Sequence, residues 1–180
     1  MTHKNYRLSL FSQLNVVDRC EAINHPDGIL GLTIPVPVTL EGTEDWSRRV
    51  ASDVSRRDFV LRDGDRCLGF SGLVSIDSFH GTAELYIFMT PSSYGKGHGT
   101  ALLRLTLAYA KFELNLRKII LYVTDSNMKA IKLYERAGFG REGTLKKHSW
   151  HRGSYVDRHI YSLFLDYLDA DPSELYESLQ

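Results

Sequence analysis

What most constrains this chain is a change of hydrophobic period across a glycine-rich segment. Residues 83–89 are apolar but for one glutamate, Ser93-Tyr94-Gly95-Lys96-Gly97-His98-Gly99-Thr100 follows, and then Leu102, Leu105, Tyr109, Phe112 and Leu116 recur at spacings of three and four. Strands alternate faces residue by residue, whereas an amphipathic helix repeats its apolar positions every third or fourth residue. Ile119-Ile120-Leu121-Tyr122-Val123 comes next as an unbroken apolar run. Such a run suits a central strand covered on both faces, so strand, helix and strand predict a parallel β-α-β unit. With residues 83–89 extended, Glu84, Tyr86 and Phe88 share one face while Leu85, Ile87 and Met89 share the other.

The remaining elements attach to this unit. Residues 6–11 alternate as a half-buried first strand would, and residues 16–24 carry a weak helical pattern that ends in the turn signal His25-Pro26-Asp27-Gly28. Pro35 and Pro37 keep the following stretch out of regular helix. Thr43 before Glu44 and Asp45 reads as a helix start, placing a helix near residues 44–55. The apolar runs 58–61 and 67–76 flank Asp63-Gly64-Asp65, a hairpin signal, and residues 83–89 follow the turn at His80-Gly81. Three antiparallel strands in a row are expected there. Residues 127–137 read as a short helix stopped by Gly138, and Phe139 opens a last strand pair that turns near Arg152-Gly153-Ser154.

Length and charge narrow the class. The 180 residues, 43% of them hydrophobic and 24% charged, suit one soluble globular domain. Lysine plus arginine and aspartate plus glutamate each total 22, so no net field draws the chain to nucleic acid or to an anionic membrane. No apolar run approaches the roughly 18 to 20 residues of a membrane span, and the start of the chain, residues 1–5, is polar. A cytoplasmic location is expected. Cys20 and Cys67 lie far apart and outside any CxxC context, as packing residues in a reducing compartment would. The seven histidines are dispersed; His148 and His151 alone stand three apart, and no metal site is expected.

The glycine segment carries the chemistry. Glycines at the start of a helix let backbone N–H groups approach an anion, and the helix dipole favours negative charge there. This is a phosphate seat. It is not a Walker A loop, because Gly97 rather than Ser or Thr follows Lys96, and it is not a dinucleotide fingerprint, because Thr100 stands where the third glycine belongs.

Gly95-Lys96-Gly97-His98-Gly99-Thr100 resembles the Gln/Arg-x-x-Gly-x-Gly/Ala pyrophosphate loop of GNAT acetyltransferases. Asn127-x-x-Ala130-x-x-x-Tyr134-Glu135-x-x-Gly138-Phe139 is similar to that family's Asn-x-x-Ala-x-x-x-Tyr-x-x-x-Gly-Phe element. The likeness spans about residues 6–168 in element order. Gly153-Ser154-Tyr155-Val156-Asp157 looks like the branch with polyamine, amino-sugar and ribosomal-protein N-terminal acetyltransferases. Tyr94 departs from the pattern, standing at the usual Gln or Arg position.

The resemblance implies a mixed α/β fold: a twisted sheet of about seven strands flanked by about four helices and split between the fourth and fifth strands. It implies acetyl-coenzyme A in that split and direct acetyl transfer to a primary amine. A small polyamine-like or amino-sugar-like acceptor leads; a protein N-terminal amine, or a silent acyl-coenzyme A sensor, are the alternatives. Backbone groups of Phe88, Met89 and Thr90 would pair with the pantetheine arm, and the segment from Tyr94 to Thr100 (Gly95, Lys96, Gly97, His98, Gly99) with Asn127 would hold the coenzyme. Tyr134 would be the general acid for the leaving thiolate. Glu84 is the candidate base, since a carboxylate inside an apolar strand needs a reason; a structural ion pair is the competing one. Trp46, His148, Trp150 and Tyr155 are of types that wall an acceptor pocket, and Glu41, Glu44 and Asp45 either attract a cationic amine or form a solvated helical turn. Many family members pair through strands or hairpins, so a homodimer is a family expectation.

Overall fold

The computed structural model describes residues 6–29 and 32–179; the polar residues 1–5 lie outside it. Seven strands, β1 (Tyr6–Leu10), β2 (Arg57–Asp63), β3 (Arg66–Asp77), β4 (Thr82–Met89), β5 (Lys118–Thr124), β6 (Gly140–His151) and β7 (Ser154–Phe164), form one sheet in the order β1-β2-β3-β4-β5-β7-β6. Every neighbouring pair is antiparallel except β4 and β5. The helices are α1 (Val16–Asn24), α2 (Pro26–Ile29), α3 (Leu40–Val50), α4 (His98–Phe112), α5 (Met128–Arg136) and α6 (Pro172–Ser178). The expected fold is present, with the parallel seam where the β-α-β pattern placed it.

Strand alternation divides the side chains between two unequal faces. Leu8, Phe59, Leu61, Leu73, Leu85, Leu121 and Val123 join residues of α4, α5 and α6 in the main apolar core. α4 is buried more widely than one stripe, with Leu103, Leu107 and Ala110 enclosed as well, because α6 and the sheet cover different sides of it. Ser71 and Thr106 lock α4 to β3 by a buried hydroxyl pair at 2.7 Å. Leu116 stays buried although the helix has already ended at Phe112. On the opposite face a smaller cluster forms from Ala22, Val60, Cys67 and Phe70 beneath α1.

Three local readings shift. α3 begins one turn before Thr43, because Thr39 caps it: its Oγ1 accepts from the Gly42 amide at 3.0 Å, and Thr43 Oγ1 donates to the Thr39 carbonyl at 2.8 Å. It ends at Val50 rather than near 55, where Asp53 Oδ1 takes the Ser55 amide at 2.9 Å and turns the chain. The signal at His25-Pro26-Asp27-Gly28 is a single helical turn, α2, entered through proline.

Candidate active site

β4 and β5 pair over only three rungs, Thr82↔Lys118, Ala83↔Ile119 and Glu84↔Ile120. From Leu85 onward the strands part, leaving a wedge between residues 85–89 and 121–124. Both strands keep their outer partners, β3 and β7, throughout. The inner edges therefore present backbone N–H and C=O groups with no strand beside them, a place for an extended ligand to add as a strand would.

The glycine segment closes one end of the wedge. Thr90 is pinned to β3 by its amide, which donates to the Leu68 carbonyl at 3.0 Å, and by Oγ1 against Cys67, Leu68 and Ser93. Gly95 and Gly97 have φ of 72° and 80°, a region costly for any side chain, and a Cβ on either would meet nothing within 4 Å. Gly97 caps α4 in the left-handed conformation. The result is an open cradle at a helix N-terminus, and it fits the pyrophosphate of a coenzyme. Lys96 folds back onto the Ser92 carbonyl at 2.7 Å, and Tyr94 is two-fifths exposed at the cradle's rim. The His98 ring instead turns inward to Tyr6 at 2.9 Å, so only its backbone faces the seat. A Cβ on Gly99 would meet Met89 and Leu133 at ordinary van der Waals distance, where α4 approaches both β4 and α5.

Across the wedge, Asn127 caps α5, its Oδ1 accepting from the Ala130 amide at 3.2 Å. That cap aims Tyr134 into the core beside Phe139, with ring centroids 5.7 Å apart. Burial pushes the Tyr134 phenol well above its ordinary value. The residue is buried, and its hydroxyl makes no hydrogen bond among the described residues. A phenol so raised stays protonated at neutral pH. Glu84 stands on the last paired rung, at the closed end of the wedge. Four residues of strand separate it from Phe88, about 13 Å at roughly 3.3 Å per residue.

The acetyltransferase (GNAT) family model matches residues 29–139. This chain belongs to the GNAT family. Spermidine N(1)-acetyltransferase of Vibrio cholerae serotype O1 is 38% identical over 128 residues, 70% of this chain and 74% of that protein. The Escherichia coli K12 protein of the same name is 33% identical over 121 residues, 67% of this chain and 64% of that one. The crystal structure of the V. cholerae spermidine N-acetyltransferase in complex with CoA and spermine superposes with a TM-score of 0.85 at 27% identity, over 90% of this chain and 96% of that one. The chain is thus an acetyl-coenzyme A-dependent N-acetyltransferase.

The other face of this GNAT domain holds groups that motif and period reading passed over. Asp58 is buried and accepts two bonds from Arg56, at 2.7 and 2.8 Å, and a third from the Tyr86 hydroxyl. Gly72 makes room for that tyrosine: a Cβ there would lie 2.1 Å from the ring. Arg19 lays its guanidinium 3.9 Å from the Trp46 ring centroid and 5.0 Å from that of Phe88, and burial lowers its pKa. Trp46 is therefore a packing partner of a cation. Asp58 interrupting an apolar strand was a visible signal; Arg19, inside a weakly patterned helix, gave none. His148 and Trp150 do wall a cavity at the tip of the β6–β7 hairpin, while Tyr155 packs on Trp150 at 5.0 Å. Asp45 is tied to Arg48 at 2.6 Å and Glu44 lies 3.9 Å from it, which favours the solvated-turn reading of both. Cys67 is buried with its thiol pushed up to about 12, mainly by desolvation, so it is no nucleophile.

Proposed function

We propose that this enzyme acetylates a polyamine-like primary amine by direct transfer within a ternary complex, with Tyr134 as general acid. The reading is supported by the parting of β4 and β5 beside an open glycine cradle, and by a buried, protonated phenol, Tyr134, on the helix that follows β5. The relatives' names, spermidine acetyltransferases, supply the acceptor class.

Acetyl-coenzyme A supplies an activated acyl group whose leaving thiolate must gain a proton. Tyr134 holds that proton at its phenol oxygen and gives it to the sulfur. The backbone of Met89 on the open edge of β4, the amides from Gly95 to Gly99 and the capped end at Asn127 hold and orient the coenzyme, while the amides of Phe88 and Thr90 face β3 and serve it only as support. An alkylamine with a pKa near 10.4 is mostly protonated at neutral pH, and freeing its lone pair costs about 4 to 5 kcal/mol. Glu84 receives that proton through water, because its place at the closed end keeps it too far from Phe88 for direct contact. Self-association through the hairpin strands is part of the same reading, supported by the exposed rings of Phe164 and Tyr167 beside β7.

The test is thiol release from acetyl-coenzyme A with spermidine, glucosamine and a peptide bearing a free N-terminus. Saturable turnover with spermidine is expected; turnover with the peptide alone would overturn the acceptor assignment.

A further inference from the structure

Tyr134 owes its aim to the helix that carries it, because its own hydroxyl makes no hydrogen bond among the described residues. That helix, α5, has nine residues, fewer than an isolated helix needs to persist in water. Its direction is therefore set by what surrounds it. Asn127 caps its start, while Ile131 and Tyr134 sink into the core. Apolar contacts fix depth but are non-directional, whereas a hydrogen bond fixes an angle. Among the described residues one side-chain hydrogen bond joins α5 to another element: the Tyr161 hydroxyl of β7 donates to Glu135 Oε1 at 3.0 Å. Glu135 is the neighbour of Tyr134 in the chain.

The seat of Tyr161 suits it to this task. Its side chain is only 3% exposed and shares the core with Tyr134, Phe139 and Leu163. In the sheet it stands opposite Leu121 on β5 and Arg141 on β6. Tyr161 thus holds both ends of the short connection from α5 to β6, Arg141 through the strand register and Glu135 through its hydroxyl. The connection between them has little slack. The Phe139 amide returns to the Tyr134 carbonyl at 3.0 Å, and Gly138 has a φ of 92° where a Cβ would lie 3.5 Å from Leu163. Burial, with the bond to Glu135, raises the Tyr161 phenol, so it remains a donor at neutral pH.

We propose that Tyr161 is a positioning residue for acetyl transfer: by holding Glu135 it sets the rotation of α5, and with it the direction of the Tyr134 phenol. The inference rests on the reading of Tyr134 as general acid. A proton donor has to come within about 2.6 to 3.2 Å of the atom it serves, and a misplacement of about 1 Å costs on the order of a hundredfold. Loss of one hydroxyl loosens α5 without releasing it, so a smaller effect is expected.

The experiment measures kcat and KM on the full chain, with whichever of spermidine, glucosamine and the free peptide turns over fastest. Tyr161→Phe should lower kcat about tenfold while both KM values and coenzyme A affinity stay within about twofold. Glu135→Ala, at an exposed position where folding is not at stake, should reproduce that loss, and Glu135→Gln, which keeps Oε1 as an acceptor, should recover most of it. The deciding comparison is made in Tyr134→Phe, where the group being aimed is gone. There Tyr161→Phe should cost less than about twofold more. A purely structural Tyr161 repeats its full loss in that background, and this result overturns the proposal. So does a Tyr161→Phe enzyme whose kcat stays within about twofold of the unaltered chain while Tyr134→Phe is impaired. Normal turnover by Tyr134→Phe itself would instead remove the general-acid reading, and the proposal with it.

Discussion

The two faces of the sheet are built on different principles. Beneath α4, α5 and α6 the side chains are almost wholly apolar, and the inward polar groups of α4 are paired, Thr106 with Ser71 and His98 with Tyr6. Beneath α1 and α3 a small apolar cluster adjoins a charged lattice of Arg19, Arg56 and Asp58 with Tyr86. The first face gives β4 and β5 a continuous apolar backing. The second is fit to choose what approaches it, because charged groups discriminate among ligands where hydrocarbon does not.

The strongest way to break that division is at Tyr134. Tyr134→Phe should lower turnover about a hundredfold to ten-thousandfold while leaving coenzyme A affinity within about twofold, as stopped-time thiol assays and calorimetry would show. Because burial raises the phenol, its proton is retained as pH rises through neutrality, and any alkaline fall in kcat due to Tyr134 belongs above its ordinary value of about 10. A fall already complete by about pH 8 would mean that another group limits the rate. On the second face, Asp58→Ala strands Arg56 and Tyr86 and should cost about 3 to 5 kcal/mol in urea unfolding. A loss under about 1 kcal/mol would show that the charged lattice is dispensable. Gly97→Ala tests the cradle: at a φ of 80° a side chain costs roughly 1 to 2 kcal/mol, so coenzyme A should bind roughly tenfold more weakly with little change in the spermidine KM. The smallest effect is expected at Cys67, whose thiol should stay unmodified by a disulfide reagent at pH 8 in the folded enzyme; rapid labelling would contradict its enclosure.

The first face was legible in the sequence and the second was not, for a physical reason. Glycines that need positive φ, an asparagine that caps α5 and an unbroken apolar strand are local requirements, and local requirements leave local patterns. The parallel seam at Glu84↔Ile120 followed from them. Arg19 over Trp46 depends on how α1 lies against α3, and Arg158 over Tyr122 on the register of β5 with β7. Such contacts join residues distant in sequence or on different strands and impose no period. The start of α3 was misplaced because Thr39 and Thr43 are equally good caps one turn apart, and only the bond from the Gly42 amide to Thr39 decides between them.

The wedge has one further consequence, for solubility. An unpaired strand edge on the perimeter of a sheet invites other chains to add to it, and proteins spend charge, proline or bulges to prevent this. Here two such edges face each other inside the molecule, hinged at three rungs and flanked by α4 on one side. A slim extended molecule can enter between them, but a second polypeptide strand with its side chains meets the walls first. The hydrogen-bonding capacity that would be an aggregation hazard at the rim is thus kept in reserve for a ligand.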